Sequence, residues 1–212
     1  VVPTDFDLPQ LVDTFDKLRL FSDPESVYTQ NAVYAFGRKI DDIIIGGLFN
    51  NNMTGIDGTT STAFLSSNVV GVNTGGSASS LNVAKLRAAK KLLMSYDVDM
   101  DNDPVFCPIT SVEHDALLNE IQIISSDFNS ADRPVLVEGK VTRFLGINFL
   151  HCERLTKFRD TDDQSGTSTP IPVYPRSGVH LGVWGDVTAN PSQRNDIQGE
   201  PYQLYAKGTI GA

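Results

Sequence analysis

The chain has 212 residues, 40% of them hydrophobic and 20% charged, with 26 acidic against 17 basic side chains and a formal net charge of -9. That composition belongs to a folded protein with a sizeable core, built as one large domain or two small ones, and not to a disordered chain. The acidic balance without a dense Lys/Arg run argues against tight, sequence-reading DNA binding, and no apolar run approaches the ~20 residues that cross a bilayer.

The opening "VVPTDFDLPQ" lacks the regions of a signal peptide, so the chain reads as soluble and cytosolic at synthesis. It is an extended or turn-rich lead-in, followed by "LVDTFDKLRLF". A helix start comes next: Ser22 or Asp23 can cap, Pro24 suits the first turn, and Glu25 favours the positive end of the helix dipole. Val27, Tyr34, Ile40, Ile44 and Leu48 recur at helical spacing, which predicts one long helix over 24–49, ended by Gly46, Gly47 and the asparagines at 50 to 52.

Residues 53–80 are rich in Gly, Ser, Thr and Asn, with "AFLSS" and "VVGVN" as candidate strands on a connecting arm and a domain change nearby. The next helix, "SASSLNVAKLRAAKKLLMSYD", is expected to be capped by Ser79 or Ser80 and to bury Leu81, Ala84, Ala88, Leu92 and Tyr96. Strand "PVFCPIT", helix "SVEHDALLNEI", an irregular stretch through "SSDFNSADRP", and strands "PVLVEG" and "VTRFLGINFLHC" complete an α/β unit. Residues 156–177 read as an exposed loop or hairpin tip, and "GVHLGVWGDV" and "PYQLYAKGTIGA" as late strands.

Several constellations have the residue types for chemistry. "DVDMDND" sets Asp97, Asp99, Asp101 and Asp103 at every second position, but neither calcium-loop register supplies the glycine at position 6 or the glutamate at 12. A solvated link between helix and strand is therefore expected. "GVNTGGSASSLN" leads into a helix start, as phosphate cradles do, yet its first lysine is Lys85 and neither glycine-loop pattern is complete. A flexible connector is the simpler reading.

His114, His151 and His180 lack zinc or triad spacing, and no G-x-S-x-G elbow is present. Asp41 with Asp42, and Asp162 with Asp163, read as surface charge. Cys107 and Cys152 read as small core residues without a disulfide. No catalytic residue, cofactor site or metal site is expected, and the chain is not read as an enzyme.

Taken in order, Ala88 and Leu92, Pro108, Leu117 and Leu118, Ser126 to Phe128, Gly139 to Val141, Gly146 with Ile147, and Leu155 form a pattern. It resembles the major capsid protein family of tailed bacteriophages, which carries the Hong Kong 97 fold. The long helix ending "RKIDDIIIGGL", the following "TGIDGTT", and the late "GVHLGVWGDV" and "YAKGTIGA" resemble that family's spine helix and strands, so the resemblance covers nearly the whole chain. The chain starts about where the spine region begins and stops at Gly211-Ala212, where relatives usually continue. It is therefore read as a segment of a longer polypeptide, with no N-terminal arm or extended loop to place.

The resemblance implies an α+β, Hong Kong 97-type capsid fold. Residues 1–75 and 153–200 would form a peripheral domain, with the spine helix over 24–49 and an exposed loop over 156–177. Residues 76–152 would form an axial α/β domain, joined by 201–212 as a returning strand. It implies self-assembly through hexamers and pentamers into an icosahedral shell enclosing phage double-stranded DNA, without sequence-specific binding or a membrane. Further partners would be scaffolding, portal or decoration proteins, with assembly in the host bacterial cytoplasm and residence in the virion. The rival readings are an encapsulin-like shell and, from "GVNTGG" before a helix, a nucleotide-using α/β enzyme.

Overall fold

The computed structural model describes residues 1–12, 24–76, 78–120, 123, 139–158 and 168–212. In chain order its first elements are strand β1 (Thr4–Val12), helix α1 (Pro24–Phe49), strands β2 (Asn52–Thr54) and β3 (Thr60–Thr62), and helix α2 (Val83–Ser95). Then come β4 (Val105–Ile109), helix α3 (Ser111–Leu118), β5 (Arg143–Phe144), β6 (Ile147–His151), β7 (Tyr174–Pro175), β8 (Gly182–Gln193) and β9 (Tyr202–Gly211). Residues 1–62 with 180–212 make one unit, and residues 63–179 the other. The mixed helix and strand content is the α+β class expected.

In the first unit β9 is the middle strand of a three-stranded antiparallel sheet, ordered β1-β9-β8. Its period-2 pattern turns Leu204, Ala206 and Ile210 inward and Tyr205 and Lys207 outward. Helix α1 contributes Ala32, Phe36 and Ile45 to the buried side, with the Phe36 ring 5.4 Å from that of Phe6 on β1. Of the expected stripe, Ile40, Ile44 and Leu48 are half-buried, whereas Tyr34 is 64% exposed. Apolar residues occur on more than one side of α1, and close approach to the core selects the small Ala32 over the larger Val33 and Tyr34. The Val27 side chain and the caps Ser22 and Asp23 lie outside the described residues, as does most of "LVDTFDKLRLF".

Gly46 and Gly47 do not stop the helix. It continues to Phe49, and the Asn50 N–H still reaches the Gly46 carbonyl at 2.8 Å. Gly47 serves close approach instead, since a Cβ there would lie 3.0 Å from the Ala212 carbonyl carbon. Beyond it β2 and β3 pair as an exposed hairpin. The structure places no strand in "AFLSS" or "VVGVN": Ser66–Asn68 is a single 3-10 turn, and "TGIDG" is the hairpin turn, with Gly55 and Gly58 at φ of 92° and 60°.

The second unit has a four-stranded mixed sheet, ordered β5-β6-β4-β7, in which β4 and β6 run parallel from Val105↔Ile147 to Ile109↔His151. Val105, Cys107 and Ile109 of β4 form its core with Ile147 and Phe149 of β6, Val83 and Leu86 of α2, and Leu117 of α3. On α2 the buried side is Val83 and Leu86, whereas Ala84 and Ala88 are half-buried and Tyr96, beyond the helix end, is 58% exposed. The N-cap is Asn82, whose Oδ1 accepts the Lys85 N–H at 2.8 Å, and not Ser79 or Ser80.

Two expected boundaries change. The closing strand pairs with β1 and β8, so residues 201–212 belong with the long helix and not with 76–152. Residues 153–179 belong to the second unit: β7 pairs with β4, and Ile171 and Val173 pack on its core. Pro175 is tolerated there because β7 is an edge strand. The expected loop 156–177 thus begins in a 3-10 helix, Glu153–Phe158, and is half-buried from 168 to 175; residues 159–167 lie outside the described residues, as do "SSDFNSADRP", most of "PVLVEG" and Ser126 to Phe128.

Candidate functional site

The aspartate ladder is used by its own fold. Asp97 turns the chain after α2 at φ 56°. The Asp99 carboxylate accepts from the Asn102 side chain at 2.5 Å and from the Asn102 and Asp101 N–H groups at 3.3 and 3.1 Å, which hold it below the usual carboxylate range. Asp103 accepts the Ser177 N–H at 3.3 Å and its hydroxyl, while the Arg176 N–H reaches the Pro104 carbonyl at 3.0 Å. Two of the four carboxylates thereby close the α2–β4 link and fasten it beside β7. Among the described residues no group of three or more His, Cys, Asp or Glu could hold a metal ion.

The glycine-rich segment is likewise filled from within. Asn82 caps α2 through Oδ1 and donates through Nδ2 to the Ser79 hydroxyl at 3.1 Å and the Thr74 carbonyl at 3.4 Å. Lys85 Nζ turns back onto the Ser79 and Ser80 carbonyls, the latter at 3.1 Å. Gly75, at φ 99°, permits this closure, because a Cβ there would lie 3.0 Å from that of Ala84. Lys85 is thus bound to the loop's own backbone. Ser77 lies outside the described residues.

The histidines do not converge. His114 Nε2 accepts the Val141 N–H at 3.3 Å, and His180 is exposed in the other unit. His151 Nε2 lies 3.0 Å from Glu153 Oε1, which also accepts the Ser111 N–H at 2.6 Å. Hydrogen bonds from Ser111, ahead of a smaller contribution from His151, hold the Glu153 carboxyl below its ordinary range. A serine, a histidine and an acid thus meet across forty residues of sequence, an arrangement that spacing alone does not reveal. Their order is wrong for a relay: the carboxylate stands between the other two, whereas base catalysis needs the imidazole there. The group caps helix α3.

Cys107 and Cys152 are free thiols, and burial, with Glu113 nearby, pushes the Cys107 thiol up to about 12. Asp41 is exposed and Asp42 half-buried on α1; Asp162 and Asp163 lie outside the described residues.

The surface offers more than these clusters. The first unit exposes Trp184, Val183 and Ile56, and the second exposes Phe64, Leu65 and Val69. No helix among the described residues is long and apolar enough to cross a membrane.

Known proteins carry the same architecture. A chain of the cyanophage Pam1 capsid asymmetric unit superposes with a TM-score of 0.71 at 15% identity, covering 99% of this chain and 69% of that one. A chain of Mycobacterium phage Che8 gives 0.66 at 18% identity, covering 98% and 65%. A chain from the capsid structure of cyanophage P-SCSP1u gives 0.62 at 13% identity, covering 98% and 67%. The chain therefore spans about two thirds of the length of these structures, and at such identities the likeness carries the fold. No curated protein matches it. The family model described as phage capsid protein matches residues 1–212, and by that match over its whole length the chain belongs to the phage capsid protein family.

Proposed function

We propose that this major capsid protein closes, through hexamers and pentamers of itself, an icosahedral shell around phage double-stranded DNA. The observation that carries the reading is the family match over all 212 residues. The hydrogen-bonding engagement of the candidate chemical clusters supports a structural, non-catalytic role without a cofactor. In this reading the first unit takes the peripheral role, with α1 as its stiff spine, and the second the axial role around the capsomer centre. Subunits assemble in the host bacterial cytoplasm and remain in the virion.

Weak individual contacts suit such a lattice, because modest energies sum over many neighbours while misplaced subunits can still leave. The acidic balance suits the contents: with a net charge of -9, and Asp5 and Asp7 exposed along β1, the protein offers phosphate little to grip, so DNA slides during filling. Sedimentation of the full-length protein tests the reading. Large, closed, homogeneous species are expected at high concentration; a monomer at every concentration and salt overturns it.

A further inference from the structure

Asp57–Gly58 is the only place in the chain where an aspartate or asparagine precedes a glycine. It lies in the turn of the β2–β3 hairpin, a two-stranded sheet with three residues a strand, and residues 50–67 are exposed throughout, Ile56 completely so. Few bonds close it. The Gly58 N–H donates to the Gly55 carbonyl at 3.2 Å, and across the strands Thr54 Oγ1 lies 2.7 Å from Thr62 Oγ1. A two-stranded hairpin without a buried face is at best marginally stable in water, so this turn opens more readily than the larger sheets of either unit.

Two further features suit the pair to an intramolecular reaction. Among the described residues no hydrogen bond or ion pair engages the Asp57 carboxylate, so none has to break before its carbon is attacked. Gly58 sets no Cβ beside its own nitrogen, and it stands in the open: a Cβ built there would meet nothing within 4 Å. The turn hydrogen bond to Gly55 is what the nitrogen must give up.

We propose that Asp57–Gly58 is a site of spontaneous main-chain isomerisation, which turns Asp57 into isoaspartate through a succinimide. The reaction needs only water. When the turn opens, the Gly58 nitrogen attacks Asp57 Cγ and gives up its proton, the new N–Cγ bond closes the succinimide ring, and a carboxyl oxygen departs as water. Water then adds back. Opening at Cγ returns aspartate; opening at the Asp57 main-chain carbonyl leaves a free α-carboxylate and a chain that runs on through Cβ and Cγ. Mass and net charge are unchanged, but the main chain has gained one atom between Asp57 Cα and the Gly58 nitrogen. That atom falls inside the Gly55–Gly58 turn, so the Thr54↔Thr60 pair that closes the hairpin loses its register. The hairpin ends at Thr62, where the first unit gives way to the second, and this stretch of chain therefore changes with age.

The inference is independent of the shell reading, because its test does not read particle formation. The full-length protein is aged in neutral buffer, digested, and mapped by liquid chromatography with mass spectrometry. The peptide holding Asp57 is expected to split into two species of equal mass, one of them resistant to a protease that cuts at aspartate, with a minor form lighter by one water. Gly58→Ala and Asp57→Glu are each expected to lose the second species while keeping the melting temperature, since the site is exposed. A hairpin this weak slows the reaction by no more than about tenfold relative to the urea-unfolded chain, the equivalent of ~1.4 kcal/mol. An Asp57 peptide that stays single on ageing, Gly58→Ala isomerising as fast as the unsubstituted chain, or protection in the folded chain far beyond tenfold would each overturn the assignment.

Discussion

Glu113 is a buried carboxylate whose Oε2 accepts the Thr110 N–H at 3.1 Å together with the Thr110 hydroxyl, closing the start of α3 beside the core strand β4. Glu113→Ala leaves two buried donors unpaired, which costs ~1–3 kcal/mol. A fall in the urea midpoint at constant slope is the expected signature. Asp196 behaves differently, because it is exposed. Arg194 donates to it from Nε at 2.7 Å and Nη2 at 2.5 Å, and chiefly these hydrogen bonds hold its carboxyl down at about 2. Since the folded value lies below the unfolded one, near ~3.9, the pair's support is present above that pH and is lost as pH falls toward the folded value. A carboxyl NMR titration of Asp196 should show the depressed midpoint, and Arg194→Ala should return it to the ordinary range; an unchanged midpoint in that variant would sink the assignment. Helix α2 shows how far single residues were legible. Ser79, Ser80 and Asn82 are all good caps by type, and the Gly75 turn that packs against Asn82 decides among them only in three dimensions.

The central strand β9 carries a constraint that its own residues do not announce. Gly208 sits opposite Phe6, and a Cβ there would lie 3.2 Å from Phe6 Cζ and 3.3 Å from Val187 Cγ2. Gly208→Val overpacks this site and should destabilise the first unit by ~1–3 kcal/mol while loosening Phe6 from Phe36, read as a lower melting temperature with weakened aromatic near-UV dichroism. An unchanged melt would show that the sheet yields there at no cost. Existence and type of the long elements were legible because α1, α2 and β9 each keep a sustained period, and β4 because it is a short continuous apolar run. Which face was buried was legible only in part: Ile40, Ile44 and Leu48 are half-buried, but Tyr34 is exposed where Ala32 and Phe36 are buried, and that choice depends on what the helix meets. Short strands escaped for a related reason, since β2, β3 and β7 have two or three residues each, too few for a period.

For the whole molecule, topology was the hidden part. Thr4 pairs with Ile210, and no local signal in "YAKGTIGA" says that its partner lies at the other end of the chain. The family pattern was legible because it consists of soft local motifs in a fixed order, and order survives when identity to the similar solved capsid chains falls to 13–18%. The candidate clusters among the described residues make capping and turn hydrogen bonds, and the account rests on the family match. Its central claim, a shell built from copies of this chain, is tested most directly by cryo-electron microscopy of the purified full-length protein. The account predicts closed particles whose density accommodates both units repeatedly around fivefold and sixfold positions, with nucleic acid inside those taken from virions. Single, unassociated molecules at every concentration imaged would contradict it.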